Sequence, residues 1–256
     1  MQLKKYCATV TFAELTSAKV VGYQTITVNP GETISLAVQF ADVAKSDDGV
    51  SVKKLLAVTS PVGSTSASAS ADQIWQYNPT DGWKKYYFYK RGSITKWCEV
   101  GSTTEIDDSV KFNVGTAFFF VRASGTTSST TDITLSGNVK SLAATPSYAV
   151  GVGETVMICN PWPMGLKVRD FNTFNTAGGV GSTSASASAD QIWRYNPTTG
   201  WMKYYFYKRG STTKWCVAGT TNEIGEDEVI AAGEGFFFVR ASGSASVATE
   251  IKFRAN

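Results

Sequence analysis

Carboxylates are the residues of this chain with the widest chemical reach. Asp72 and Asp190 hold matching places in two nearly identical stretches, as do Glu105 and Glu223. Asp107, Asp108, Glu226, Asp227 and Glu228 follow close behind. Glycoside hydrolysis needs two carboxylates facing each other across a cleft, whereas an Asp after a run of Ser and Ala is more simply a turn cap. The acidic segments lack the spacing of an EF-hand or RTX calcium loop. Histidine is absent from all 256 residues. The commonest general base and metal ligand is therefore missing, and Ser-His-Asp and Cys-His catalysis with it. Cys7, Cys98, Cys159 and Cys216 are too dispersed for a C-x-x-C zinc site. Buried thiols and disulfides stand as even alternatives, with three pairings open. These patterns lead us to expect no enzyme, no metal and no cofactor.

Aromatic residues offer a different chemistry, that of contact. Residues 63–98 read GSTSASASADQIWQYNPTDGWKKYYFYKRGSITKWC, and residues 181–216 read GSTSASASADQIWRYNPTTGWMKYYFYKRGSTTKWC. The two differ only at Gln76/Arg194, Asp81/Thr199, Lys84/Met202 and Ile94/Thr212. In a strand, alternate side chains point to opposite faces. Trp83, Tyr87 and Tyr89 then share one face, while Tyr86 and Phe88 share the other with Lys84 and Lys90. Aromatics on both faces exceed what one core readily absorbs, and the first expectation is a sheet covered on both sides by its own domain or its neighbour. The alternative is an exposed patch that stacks on sugar rings or docks a protein. Its candidates are Trp75, Trp83, Tyr86, Phe88 and Trp97 in the first copy, and Trp193, Trp201, Tyr204, Phe206 and Trp215 in the second.

The elements that must position these residues are short strands. VGYQTITVN, DQIWQYN, KKYYFYK, TAFFFVRAS and TDITLSG are rich in β-branched and aromatic residues and are punctuated by Gly, Pro, Asn, Asp and Ser. NPTDG and NPTTG predict hairpins with five-residue loops. The FFFV run predicts a strand buried on both faces. VSVKKLLAV reads equally as helix or strand. A period of about 120 residues implies an all-β chain of two tandem homologous domains, sandwich or barrel-like. We place them at 1–139 and 140–256, with the connection near 139–148. Either gene conversion or a shared task accounts for the near-identity of the repeated block. STSASASAD, at 64–72 and again at 182–190, alternates small residues as a flat strand would, and a mobile Ser-rich loop is its rival reading. Strands closing each domain, near 131–135 and 249–253, resemble a third at residues 8–12. That surplus strand, about 8–14, either folds back on its own domain or pairs with another chain.

The net charge of +3, with no Lys/Arg run longer than two residues, implies neither nucleic acid nor an anionic membrane as partner. No apolar run approaches the roughly 20 residues that span a bilayer, and the N-terminal MQLKKYCATVTF lacks the apolar core of a signal peptide. DQIWRYNPTTGW has a kelch-like turn but no double glycine, and GWxKYYFY lacks the short period of choline-binding repeats. The chain resembles tandem β-domains of secreted or surface-attached bacterial proteins. It shares with them an opening V-G-Y strand (Val21–Val28), D-x-I-W-x-Y leading to G-W (residues 72–83 and 190–201), and a closing G-x-G-F-F-F (residues 233–238, GTAFFF in the first copy). That resemblance implies extracellular or cell-surface placement and a structural or adhesive role. The leading expectation is a non-enzymatic surface protein that binds protein partners or assembles head-to-tail through terminal strands. A carbohydrate-binding module with a duplicated aromatic site is the alternative.

Overall fold

In a computed structural model, residues 21–41, 50–55, 57–125, 129–139, 147–160, 164–171, 179–243 and 248–252 are described. Cys7, the strand expected at 8–14 and residues 140–146 of the expected connection lie outside them. The chain is all-β. Its main elements are two five-stranded antiparallel sheets with the same strand order. The first runs Thr33–Ala37, Ala117–Val121, Gln73–Asn78, Gly82–Arg91, Ile94–Glu99. The second runs Thr155–Cys159, Gly235–Val239, Gln191–Asn196, Gly200–Arg209, Thr212–Val217. Among the described residues no helix is long and apolar enough to cross a membrane. The ambiguous VSVKKLLAV divides into a strand pair residue set, Val50–Ser51, one helical turn, Val52–Leu55, and a second short strand, Ala57–Val58.

Each sheet turns one face to a core of its own. In the first half, Ile34, Leu36, Ile74, Tyr86, Trp97, Phe118 and Phe120 cluster with Val28, Ile133 and Leu135. The last three come from the antiparallel pair Val21–Val28 and Thr131–Val139, which forms the second layer. In the second half, Ile158, Ile192, Tyr204, Trp215, Phe236 and Phe238 cluster with Val150 and Ile251. These belong to the pair Ser147–Val150 and Thr249–Lys252. Both halves are thus two-layered sandwiches, and each closing strand pairs with the opening strand of its own half.

The hairpins are one residue tighter at each end than the NPTDG spacing predicts. Asn78 pairs with Gly82, so only Pro79, Thr80 and Asp81 connect the strands. The Asn78 side chain accepts the Thr80 and Asp81 amides, and Gly82 takes a φ of 75° that a side chain would resist. Asn196 and Gly200 repeat the arrangement.

STSASASAD is ordered but is not a strand. Ser64 makes one parallel bridge to Tyr89, and residues 65–70 then bend and turn. Alanine and serine bury too little to hold a ladder, and serine bonds locally instead. Here the Ala71 amide bonds the Ser68 carbonyl, and the Ser68 and Ser70 hydroxyls meet at 2.7 Å. The segment lays Ala67 and Ala71 against Tyr87, Tyr89 and Cys98. Ala189 covers Tyr205, Tyr207 and Cys216 in the same way. Cys98, Cys159 and Cys216 are buried free thiols, and burial raises the pKa of the Cys98 and Cys216 thiols.

The segment ends in a buried ion pair. Asp72 and Arg122 are both fully buried, with Arg122 Nη1 2.6 Å from Asp72 Oδ2. The carboxylate also accepts the Val62 and Ala123 amides, and Arg122 donates to the Ser60 and Ser129 carbonyls. Burial pushes the Asp72 carboxyl upward, against the pull of those amides and of Arg122. Asp190 and Arg240 repeat the pair at 2.7 Å, with the Val180 and Ala241 amides. The recurring aspartates are therefore buried anchors, and their arginine partners are not solvated.

Candidate ligand clefts between the two halves

The sheet face turned away from each core is where the two halves meet. Strand alternation puts Trp75 and Tyr77 on that face in one strand, and Trp83, Lys85, Tyr87 and Tyr89 in the next. Hairpin register then sets neighbours: Trp75 lies opposite Lys85, and Tyr77 opposite Trp83. In consequence the Lys85 ammonium sits 4.0 Å over the Trp75 ring, and Tyr77 meets Trp83 edge-on at 5.4 Å. Lys203 sits 3.9 Å over Trp193, and Tyr195 meets Trp201 at 5.3 Å.

A hydrogen-bond relay fixes the Trp75 ring. Its indole N–H donates to Gln73 Oε1, and Gln73 Nε2 donates to the Ser68 carbonyl, each at 2.9 Å. Trp193, Gln191 and Ser186 repeat the relay at the same distances. The Ser/Ala segment thus does two tasks: it covers the far end of the sheet face and orients a tryptophan at the near end.

Contacts between the halves are reciprocal. Tyr77 and Trp83 pack on Phe237 at 5.5 and 5.9 Å, and Tyr195 and Trp201 pack on Phe119 at 5.6 and 5.9 Å. Phe119 and Phe237 meet each other at 6.3 Å. The Ala37 amide donates to the Gly233 carbonyl at 3.0 Å, and the matching Cys159 amide donates to the Gly115 carbonyl at 3.1 Å. Such mutual pairing of equivalent residues is the mark of a two-fold relation. Near the axis the symmetry breaks. A Cβ on Gly235 would lie 2.3 Å from the Ala117 Cβ and 2.5 Å from Ser35 Oγ, so only one of these two matching positions has room for a side chain.

Two clefts flank the axis. One, of about 290 Å³, is lined by Thr33, Trp75, Trp83, Lys85 and Phe119 with Tyr195 and Trp201. The other, of about 340 Å³, is lined by Thr155, Trp193, Trp201, Lys203 and Phe237 with Tyr77 and Trp83. The linings correspond residue for residue, and each sits at the small end of the roughly 300–1,000 Å³ of ligand pockets. Trp83 and Trp201 belong to both clefts and remain 43% and 46% exposed. Among the described residues no carboxylate pairs with Lys85 or Lys203. Each cleft therefore offers aromatic surface, a threonine and a tyrosine hydroxyl, and one cation.

Of the ten candidate aromatics, Trp75, Trp83, Trp193 and Trp201 line the clefts. Tyr86, Phe88 and Trp97, with Tyr204, Phe206 and Trp215, pack into the cores of their own halves and contribute no surface patch. The strand period explains this: they stand one position out of step with the cleft residues, or lie on the core side of the edge strand. Tyr77 and Tyr195 belong to the repeated aromatic block but not to the ten candidates, and Lys85, Lys203, Phe119 and Phe237 carry no signal of a cleft in the sequence alone. The hairpin register, read outward from Trp75, places Tyr77 and Lys85 beside it, and their counterparts likewise.

The acidic segments have partners of their own. Glu105 pairs with Lys53 at 2.8 Å, Glu226 with Lys167 and Arg169 at 3.3 and 3.1 Å, and Asp108 accepts the Ser51 hydroxyl. Among the described residues no three of Cys, Asp and Glu gather as a metal site would require. Comparison with protein-family models, with curated proteins and with solved structures finds no match to this chain.

Proposed function

We propose that this is a non-enzymatic glycan-binding protein whose two clefts each seat an acidic sugar. The observation that carries this reading is the recurrence, in both clefts, of exposed tryptophan beside a lysine without a carboxylate partner. The C–H face of a pyranose covers an indole, Thr33 or Thr155 bonds a hydroxyl, and the ammonium meets a uronate carboxylate or a sulfate. A binding role also accords with the recurring aspartates, which are consumed in ion pairs inside each half. Extracellular or cell-surface placement with an adhesive task follows as part of the same proposal. The test is an array of neutral, uronate-bearing and sulfated glycans, repeated with the double variant Trp83→Ala, Trp201→Ala. Saturable binding to acidic glycans, lost in that variant and in Lys85→Met, Lys203→Met with the unfolding midpoint retained, is expected. Binding to none of these glycans, or binding indifferent to all four substitutions, overturns it.

A second reading rests on a separate observation. Thr131–Val139 and Thr249–Lys252 each pair with the opening strand of their own half, and the sequence at residues 8–12 is similar to both. Head-to-tail assembly through that segment gives it a use. Removing residues 1–14 should then reduce the mass measured by light scattering to that of one chain, with the strand signal in circular dichroism intact. An unchanged mass overturns it.

A further inference from the structure

We infer that the two clefts hold two separate glycan chains running in opposite directions, so that the protein bridges chains and does not grip one chain twice. The inference rests on the glycan-binding reading and adds valency and direction to it. Its basis is the reciprocal contact between halves: Phe119 receives Tyr195 and Trp201 just as Phe237 receives Tyr77 and Trp83. The backbone bonds from Ala37 and Cys159 repeat that reciprocity. Equivalent groups in the clefts are thereby related by a rotation of about 180°.

Both clefts are walled by Trp83 and Trp201, so they lie side by side across the rotation axis. A chain long enough to occupy both must cross that axis. A glycan has distinguishable ends, and a half-turn about an axis it crosses reverses its direction. The hydroxyl and ammonium that receive the chain in one sense at Thr33 and Lys85 receive it only in the opposite sense at Thr155 and Lys203. One continuous chain satisfies one cleft and meets the other backwards. Two chains, antiparallel, satisfy both. Repetition of the site therefore gives cross-linking, where two clefts related by translation would give avidity along a single chain.

The test uses hexagalacturonate as a short acidic probe and polygalacturonate as a long one, with the full chain. Isothermal titration is expected to count two hexamers per protein. Light scattering of the polymer should rise to a maximum at intermediate protein ratio and fall again in excess protein, as bridging requires. Lys85→Met and Lys203→Met, each confined to one cleft, should each reduce the count to one hexamer and abolish the scattering maximum, with the remaining site unchanged in affinity. One hexamer per wild-type chain overturns the inference. So does binding of the polymer without scattering growth and with a hundredfold loss of polymer affinity in either single variant; glycan binding itself then stands. Absence of hexamer binding overturns the inference; the reading beneath it falls with it only when the array of neutral, uronate-bearing and sulfated glycans is blank as well.

Discussion

The two halves of this protein agree in what anchors each sandwich and differ in sets of residues that touch one another. Asp72 and Asp190 have matching partners, one arginine and two backbone amides, at nearly the same distances, and so do the relays through Gln73 and Gln191. Several of the differences come grouped. Arg194 replaces Gln76, and two of its partners, Glu228 and Glu234, replace Val110 and Thr116. Asp81 and Lys84 form an ion pair at 3.0 Å, and both are exchanged together for Thr199 and Met202. At the axis, Ala117 faces Gly235. Change in one half is therefore compensated locally, within a few ångströms, and the shared scaffold is left as it was.

The most severe way to probe this equivalence is to break the buried pairs. Asp72→Ala and Asp190→Ala each leave a buried guanidinium without its carboxylate, at a cost of about 3–5 kcal/mol. Urea unfolding should show equal losses for the two variants; a large difference would mean that the halves are not energetically alike. Gly235→Ala comes next. Overpacking at the axis costs about 1–3 kcal/mol, and adding Ala117→Gly in the same chain should restore part of it, because that removes the methyl clash and leaves the approach to Ser35 Oγ. No recovery in the double variant would show that the axis is not where the halves are tightest. The mildest change exchanges Asp81 and Lys84 for Thr and Met, copying the second half into the first. Both side chains are half-exposed, and surface pairs of this kind contribute little. Thermal unfolding should be unmoved, and a clear shift would assign that pair a role beyond its own contact.

Much of the scaffold was legible along the chain. Alternation in DQIWQYN and GWKKYYFYK set the strand faces, and the central phenylalanines of the FFFV run are buried on both sides as a continuous apolar run implies. What could not be read is contact across distance. Asp72 and Arg122 are 50 residues apart, and nothing near either one names the other. The clefts were half legible: Trp75 and Trp83 were singled out, but Phe237 reaches them from the other half of the chain. STSASASAD misled because its alternation has the period of a strand, while Ala and Ser lack the bulk that makes a strand stay in a sheet.

The contact between Ala117 and Gly235 also governs which halves can mate. Two first halves brought together in the same geometry would set methyl against methyl at about 2.3 Å, so one of them would have to shift at the overpacking cost given above. Two second halves would leave a gap at the axis. Only a first half with a second half closes well, and they need not come from the same chain. The contact thus favours a first half against a second half, whichever molecule supplies each. A domain-swapped assembly built on it is expected to alternate the two.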